Sequence, residues 1–285
     1  MGAGLHEYPL ILFTVIGQTV AGAFILMALV LQLKPSAQQH HQIVMSMFGL
    51  WLLMGIGFLL SMLHMGSPLR AFNSMIRVGH SALSNEIVSG SLFFALGGLY
   101  WLISFFKKMP RSLGQIWLMI TMFAAAFFIY AISRVYQIET VPTWFNQYGS
   151  LQFILTSLIA GPVLAAFLLR IASYDISRVR SFALISIIGI IASCILVTAQ
   201  GYELGSIQSS VQKASQLVPD YASLMGWRTI CLFLGLAFWL YPHIKMRNPS
   251  IISLFIAVLF VVFGELIGRG IFYGLHMTVG MAVVG

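Results

Sequence analysis

Apolar stretches of spanning length follow one another along almost the whole chain, separated by polar breaks. Eight windows qualify, covering Leu10 to Leu33, Ile43 to Leu63, Leu83 to Phe106, Gly114 to Ser133, Leu151 to Ile171, Phe182 to Gln200, Thr229 to Tyr241 and Ile251 to Tyr273. A helix needs about 20 residues to cross roughly 30 Å of hydrocarbon, so each window predicts one transmembrane helix. The seventh is short unless Met225 to Trp227 join it. The expected fold is therefore an all-α integral membrane protein, an eight-helix transmembrane bundle forming one polytopic domain over residues 1–285. Composition agrees, with 59% of residues hydrophobic and only 8% charged. The first nine residues carry Glu7 and neither Lys nor Arg, unlike a cleavable signal peptide, so the first span is expected to be retained.

Charge then suggests an orientation. With the N-terminus outside, the inner breaks hold Lys34, Lys107, Lys108, Arg111, Arg170, Arg178, Arg180, Lys245 and Arg247 against the single acid Asp175. Outer segments and span mouths hold Arg70, Arg77, Arg134, Lys213, Arg228 and Arg269, balanced by Glu7, Glu86, Glu139, Glu203, Asp220 and Glu265. The whole net charge of +8 thus falls on the inner side, as the positive-inside rule expects when both termini are outside. A basic balance of this kind reports orientation and not nucleic-acid binding. The outer connections are also the longer ones. In the longest, residues 201–228, Ile207, Val211, Leu217 and Val218 lie among polar residues. That pattern predicts a short surface helix before Pro219, either resting on the bilayer or serving as a docking platform.

Polar chemistry concentrates between the second and third windows, at His64, Arg70, Asn73, Arg77, His80, Ser84, Asn85 and Glu86. Ionisable groups are costly in a membrane, which makes each a candidate for function. Gly57, Ser61 and His64 follow an i, i+4, i+7 spacing and share one helix face. Glu86 and Gly90 lie one turn apart on the third span, beside Asn85 and Ser89. Both faces end at the same membrane side, and consecutive antiparallel spans tend to be neighbours, so a His64–Glu86 pair near the outer interface is expected. Oxidation of a quinol releases two protons with its two electrons, and an imidazole and a carboxylate supply the acceptors its hydroxyls need. The structural alternatives are an interfacial histidine, and a glutamate that pairs with Arg77 or simply caps a helix N-terminus. Ser61 and Asn85 complete the candidate binding set, with Arg70 and Arg77 in supporting roles.

Other features weigh less. Glu265 and Arg269, four residues apart, can pair on one face of the last span, as a structural ion pair or as a proton relay. Glycines 264, 268, 270 and 274 suggest close packing and a central position for that helix. Gly161-Pro162 is the clear interruption deep in a span, and no internal repeat of the transporter kind stands out. A midplane haem would need histidines at depth, whereas His6, His40, His41, His64, His80, His243 and His276 fall in loops or near span ends. Cys194 and Cys231 form no close ligand pair, so neither an iron–sulfur cluster, a metal site nor a disulfide is expected in this chain. Tyr130, Tyr136, Trp144 and Tyr148 read as an interfacial aromatic belt, with Arg134 snorkelling beside them.

The segments Leu5-His6-Glu7-Tyr8-Pro9-Leu10, Ser61-Met62-Leu63-His64-Met65-Gly66-Ser67-Pro68, Ser84-Asn85-Glu86 and Gly264 to Gly280 together resemble the membrane anchor subunit of the bacterial anaerobic dimethyl sulfoxide reductase family. The resemblance covers essentially the whole chain. It implies a multi-pass, haem-free anchor in the bacterial inner membrane, with eight spans and periplasmic termini. Such an anchor oxidises menaquinol and passes electrons to a four-cluster iron–sulfur subunit. That partner feeds a molybdopterin catalytic subunit on the periplasmic side, where the sulfoxide or a related acceptor is reduced. In that family a histidine ending the second span and a glutamate beginning the third are associated with the quinol site, and these match His64 and Glu86. The competing readings are a proton-coupled transporter using Glu265 and Arg269, and a purely structural tether.

Overall fold

The computed structural model describes residue 4 and residues 6–63, 75–208, 213–244 and 248–277. The helices are α1 (Tyr8–Gln32), α2 (Ala37–Ser46), α3 (Phe48–Leu63), α4 (Ala82–Phe105), α5 (Arg111–Val135), α6 (Gln147–Ile171), α7 (Arg180–Leu204), α8 (Tyr221–Ile244) and α9 (Ile251–Gly274). Helices α2 and α3 run on as a single span, Ala37–Leu63, so the described residues contain eight helical segments long and apolar enough to cross a membrane.

Helix ends depart from the hydropathy windows wherever polar residues cap or extend a span. Ser36 accepts a hydrogen bond from the amide of Gln39, which lets the second span begin well before Ile43 and take in His40 and His41. Asn146 caps α6 in the same way through the amide of Gly149, and Ser250 caps α9 through that of Ser253. The short seventh window is completed from Tyr221, because Leu224, Met225 and Trp227 continue the apolar pattern ahead of Arg228. Spans one, three and five each run into a residue with positive φ just past the helix, at Lys34, Lys107 and Ser173. This left-handed exit turns the chain sharply and lets the trailing amides reach the last carbonyls of the helix.

Helices α1 and α6 form the axis of the bundle. Of their apolar windows 72% is buried, against 33% for α9, so the last helix is not the central one its glycine spacing suggested. The axis is made by the crossing of Gly22 and Gly161, where a Cβ on Gly22 would collide with the carbonyl oxygen of Ser157. With no side chain on either residue the two backbones touch directly. Pro162, next to this crossing, does not break α6. Around the axis, Trp51 of α3 lies over Gly97 of α4, and Phe128 of α5 covers Gly90 of α4. Large exposed side chains such as Phe123, Ile188, Ile195 and Ile252 cover the outside of the bundle, the face lipid would meet.

The long segment after α7 forms no separate surface helix among its described residues. Helix α7 continues to Leu204, Ala214–Gln216 forms one 3-10 turn, and α8 begins at Tyr221, while Val211 lies outside the described residues. Ala214 and Val218 are buried against Ile271, Leu275 and Met277 at the end of α9. This connection is thus a lid on the bundle end.

Gly22→Val is expected to push α1 off α6 and destabilise the protein by about 1–3 kcal/mol or more. Gly98→Val, at a position with nothing within 4 Å of a Cβ, is expected to be nearly neutral. Melting temperatures of the two variants in detergent, followed by circular dichroism, check the contrast.

Candidate functional site

Glu86 lies one turn into α4, whose N-terminus is capped by Ser81 accepting from the amide of Ser84. Its side chain is buried, and Oε1 has no hydrogen-bond partner. A carboxyl group left unsatisfied in an apolar interior forfeits several kcal/mol of solvation, so this oxygen is available to a donor that enters the site. Arg77 is exposed and makes no ion pair with Glu86. Asn85 turns away from the bundle, accepting a hydrogen bond from the amide of Gly79 at 2.7 Å, and so shapes the turn into α4. Gly79 itself has φ +86° and open space around it, as a tight turn requires.

Ser61 is half-buried on α3, one turn beyond Gly57, whose α-carbon faces Ile16 and Phe13 of α1. Helix α3 packs chiefly on α1 and more lightly on α4. His64, Arg70 and Asn73 lie outside the described residues. Among the described candidates, then, only Glu86 is both ionisable and buried.

Two buried tyrosines lie at the same end of the bundle as Glu86: Tyr136, just past α5, and Tyr273, near the end of α9. Their hydroxyls hydrogen-bond to each other at 2.5 Å. Tyr136 is enclosed by the rings of Trp144, Phe153, Phe272 and Tyr273, with centroids 5.1–5.7 Å away. Tyr136 and Trp144 are each only 8% exposed. They therefore belong to an interior aromatic cluster and not to the interfacial belt, whereas Tyr130 and Arg134 stay exposed. The connection after α5 holds this cluster against the end of α9. Trp144 Nε1 donates to the carbonyl of Phe272 and Thr143 Oγ1 to that of Leu275, satisfying carbonyls that the helix end leaves open.

Behind the tyrosines lies a buried charge network. Glu265 and Arg269 do not pair with each other along α9. Glu265 Oε1 instead accepts from Arg228 Nη2 of α8 at 3.0 Å, and Oε2 accepts from Thr156 of α6 at 2.5 Å. Arg269 donates to Gln18 of α1 at 2.7 Å and to Thr156 at 3.1 Å, with its guanidinium 3.3 Å from the centre of the Phe153 ring. Arg228 also donates to Ser193 of α7 and Gln152 of α6, and Gln152 donates to Gln200. Arg228, Glu265 and Arg269 are 3%, 2% and 5% exposed. The glycines of α9 make room for this arrangement, since a Cβ on Gly268 would meet Arg228 Nε at 2.6 Å. A cavity of about 20 Å³ beside Gln152, Arg228 and Glu265 has space for roughly one water.

Sequence reasoning placed Arg228 at a span mouth and missed the two tyrosines. An arginine inside an apolar run, Met225-Gly226-Trp227-Arg228-Thr229-Ile230, was the available signal for the first. Nothing local marks Tyr136 or Tyr273 as partners. A second cavity, apolar and of about 340 Å³, opens between the start of α1, the end of α9 and the Leu217–Leu224 connection. Among the described residues no three His, Cys, Asp or Glu side chains come together as metal ligands.

The family described as DMSO reductase anchor subunit (DmsC) matches residues 1–275. The YnfH subunit of an anaerobic dimethyl sulfoxide reductase of Escherichia coli is 50% identical over 285 residues, covering the full length of both proteins. The C subunit of the anaerobic dimethyl sulfoxide reductase of the same organism is 50% identical over 287 residues, covering 99% of each protein. The corresponding C subunit of Haemophilus influenzae is 40% identical over the full length of both.

Arg228→Met leaves Glu265 buried and unpaired, a loss expected to cost about 3–5 kcal/mol. Combining it with Glu265→Gln, which keeps an acceptor for Thr156, is expected to restore much of that stability. Thermal unfolding of the single and double variants in detergent measures the difference.

Proposed function

Since this chain belongs to the DMSO reductase anchor subunit family and is a multi-pass inner-membrane protein, we propose that it binds and oxidises menaquinol at the bundle end that carries Glu86. In this reading that end faces the periplasm, and the electrons pass to an iron–sulfur subunit docked there. From it they reach a molybdopterin catalytic subunit of the dimethyl sulfoxide reductase complex. Two electrons and two protons leave each quinol. The carboxylate of Glu86 takes a proton from one quinol hydroxyl and His64 accepts from the other, with Ser61 as a further pocket residue, Asn85 setting the turn that leads into α4, and Arg70 and Arg77 in supporting roles.

The observation that carries this reading is the buried Glu86 oxygen with no partner. It is an acceptor kept available in an apolar setting, and a quinol hydroxyl is a donor that reaches such a setting from the bilayer. The apolar cavity between α1 and α9 opens on the same end of the bundle and is a slot of the size and character that a prenyl tail occupies. Bound quinol needs no haem or cluster within this chain, because the acceptor is on the partner.

In the assembled complex, Glu86→Gln is expected to lower quinol-dependent turnover by about 100-fold or more, the usual range for a lost general base. A dye donor that reduces the partner subunits directly should still drive sulfoxide reduction. His64→Ala should weaken binding of a quinol analogue. Unchanged turnover and unchanged analogue binding in both variants would sink the site assignment.

A further inference from the structure

At the bundle end opposite Glu86, the connection from α1 to α2 and the connection from α4 to α5 meet around a cavity of about 40 Å³. Lys34, His40 and Arg111 line it together with the buried Leu31, Tyr100 and Leu118, and no Asp or Glu does. Specific contacts hold its walls. Gln32 Nε2, at the end of α1, donates to the carbonyl of Gln115 in α5 at 2.8 Å. The hydroxyl of Tyr100 lies 3.4 Å from His40 Nε2 and links α4 to α2. Gly114 in the first turn of α5 lets Met109 and Tyr100 close in, since a Cβ there would meet their side chains at 3.1 and 3.6 Å. The cavity is therefore framed by four helices.

Its mouth is positively charged and has no counter-charge. Lys34 and Arg111 are exposed, and neither forms an ion pair among the described residues. The residue before α5 is Pro110, which also lines the cavity and whose side chain does not cap the leading amides of the helix. The positive end of α5 thus adds to the field of the two side chains. Apolar groups surround the charges. Leu33 and Phe106, at the ends of α1 and α4, are 76% and 59% exposed, and Leu113 beside Arg111 is exposed as well.

We propose that this cavity binds the head group of an anionic phospholipid, with its phosphodiester held between Lys34 and Arg111 and its acyl chains lying along Leu33, Phe106 and Leu113. The charge of the mouth selects an anion, and the apolar rim selects one that carries hydrocarbon. A free phosphate matches the first feature and makes no use of the second. The site is separate from the bundle end that carries Glu86 and does not depend on the quinol reading. A lipid seated there bridges two connections that are otherwise joined through Gln32 and Gln115.

Lys107 and Lys108 distinguish a site from general attraction between basic loops and an anionic membrane surface. They belong to the same α4–α5 connection and are exposed, yet neither lines the cavity. Diffuse attraction uses each basic residue about equally. A built site uses Lys34 and Arg111.

The test is a lipid titration of the full chain, purified in detergent and stripped of lipid, with the melting temperature as readout. Phosphatidylglycerol is expected to raise it saturably by about 2 °C or more. Phosphatidylcholine with the same acyl chains should give less than half of that gain, and inorganic phosphate none. Lys34→Gln/Arg111→Gln is expected to weaken the phosphatidylglycerol midpoint about tenfold or more, whereas Lys107→Gln/Lys108→Gln should titrate as the wild type does. Should the first double variant not fold, Lys34→Gln and Arg111→Gln singly, each with an intermediate midpoint, decide in its place. No gain with phosphatidylglycerol, or equal gains from the two lipids, overturns the proposal. So does an unmoved midpoint in the Lys34 and Arg111 variants, or an equal shift in the Lys107 and Lys108 variant. A gain from inorganic phosphate as large as that from phosphatidylglycerol makes the cavity a site for a free anion and overturns the lipid.

Discussion

A guanidinium and a carboxylate buried in a lipid-embedded bundle must find each other or be neutralised, and the pairing of Arg228 with Glu265 ties five helices together. Thr156 and Gln152 bring in α6, Gln18 brings in α1 through Arg269, and Ser193 and Gln200 bring in α7. Lipid tails are as apolar as the helix faces they touch, so hydrophobicity gives little preference for one helix neighbour over another. Packing shape and polar partners choose the arrangement. The Gly22–Gly161 contact supplies the shape, and the charge network supplies the register of α8 and α9 against α6. Even Gly268 is explained by this, because its missing side chain is the space that Arg228 occupies.

Hydropathy made the eight spans legible, since a 20-residue apolar run has few other uses. It misjudged their ends where Ser36, Asn146 or Ser250 caps a helix, because a cap acts through one hydrogen bond that mean hydropathy does not register. It also misjudged which helix is central. Four glycines at four-residue spacing in α9 look like a helix-packing motif, yet those in α1 and α6 serve the closest crossing, and those in α9 make way for an arginine and for Val218. Sequence spacing states that a side can be approached closely and does not state by what.

The candidate site was legible to a similar degree and for similar reasons. Glu86 stood out as a carboxylate opening an apolar span, and it is buried. The Glu265 and Arg269 pair, expected along one helix, is not formed, because neighbouring helices present Arg228, Thr156 and Gln18 in better geometry than the i, i+4 spacing gives. Tyr136 and Trp144 resembled interfacial aromatics because they follow a span, but the connection after α5 folds inward, and Trp144 and Thr143 bond to the end of α9. Whether an aromatic at a span end faces headgroups or the bundle depends on where its loop goes, which is a tertiary fact.

The placement of the buried charge also bears on the competing reading as a transporter. Glu86, Arg228, Glu265, Arg269, Thr156 and Gln18 all lie within about 15 Å, measured along their helices at 1.5 Å per residue, of the same end of the bundle. In the opposite half, no charged side chain among the described residues is buried. Thr121 and Ser186 there donate to nearby helix carbonyls, and the buried Tyr100 hydroxyl meets His40 at 3.4 Å. A proton relay across a membrane needs titratable or water-bearing steps through both halves. A base that collects protons from a quinol and returns them to the side it faces needs buried charge in only one half, and among the described residues the buried charge lies in one half.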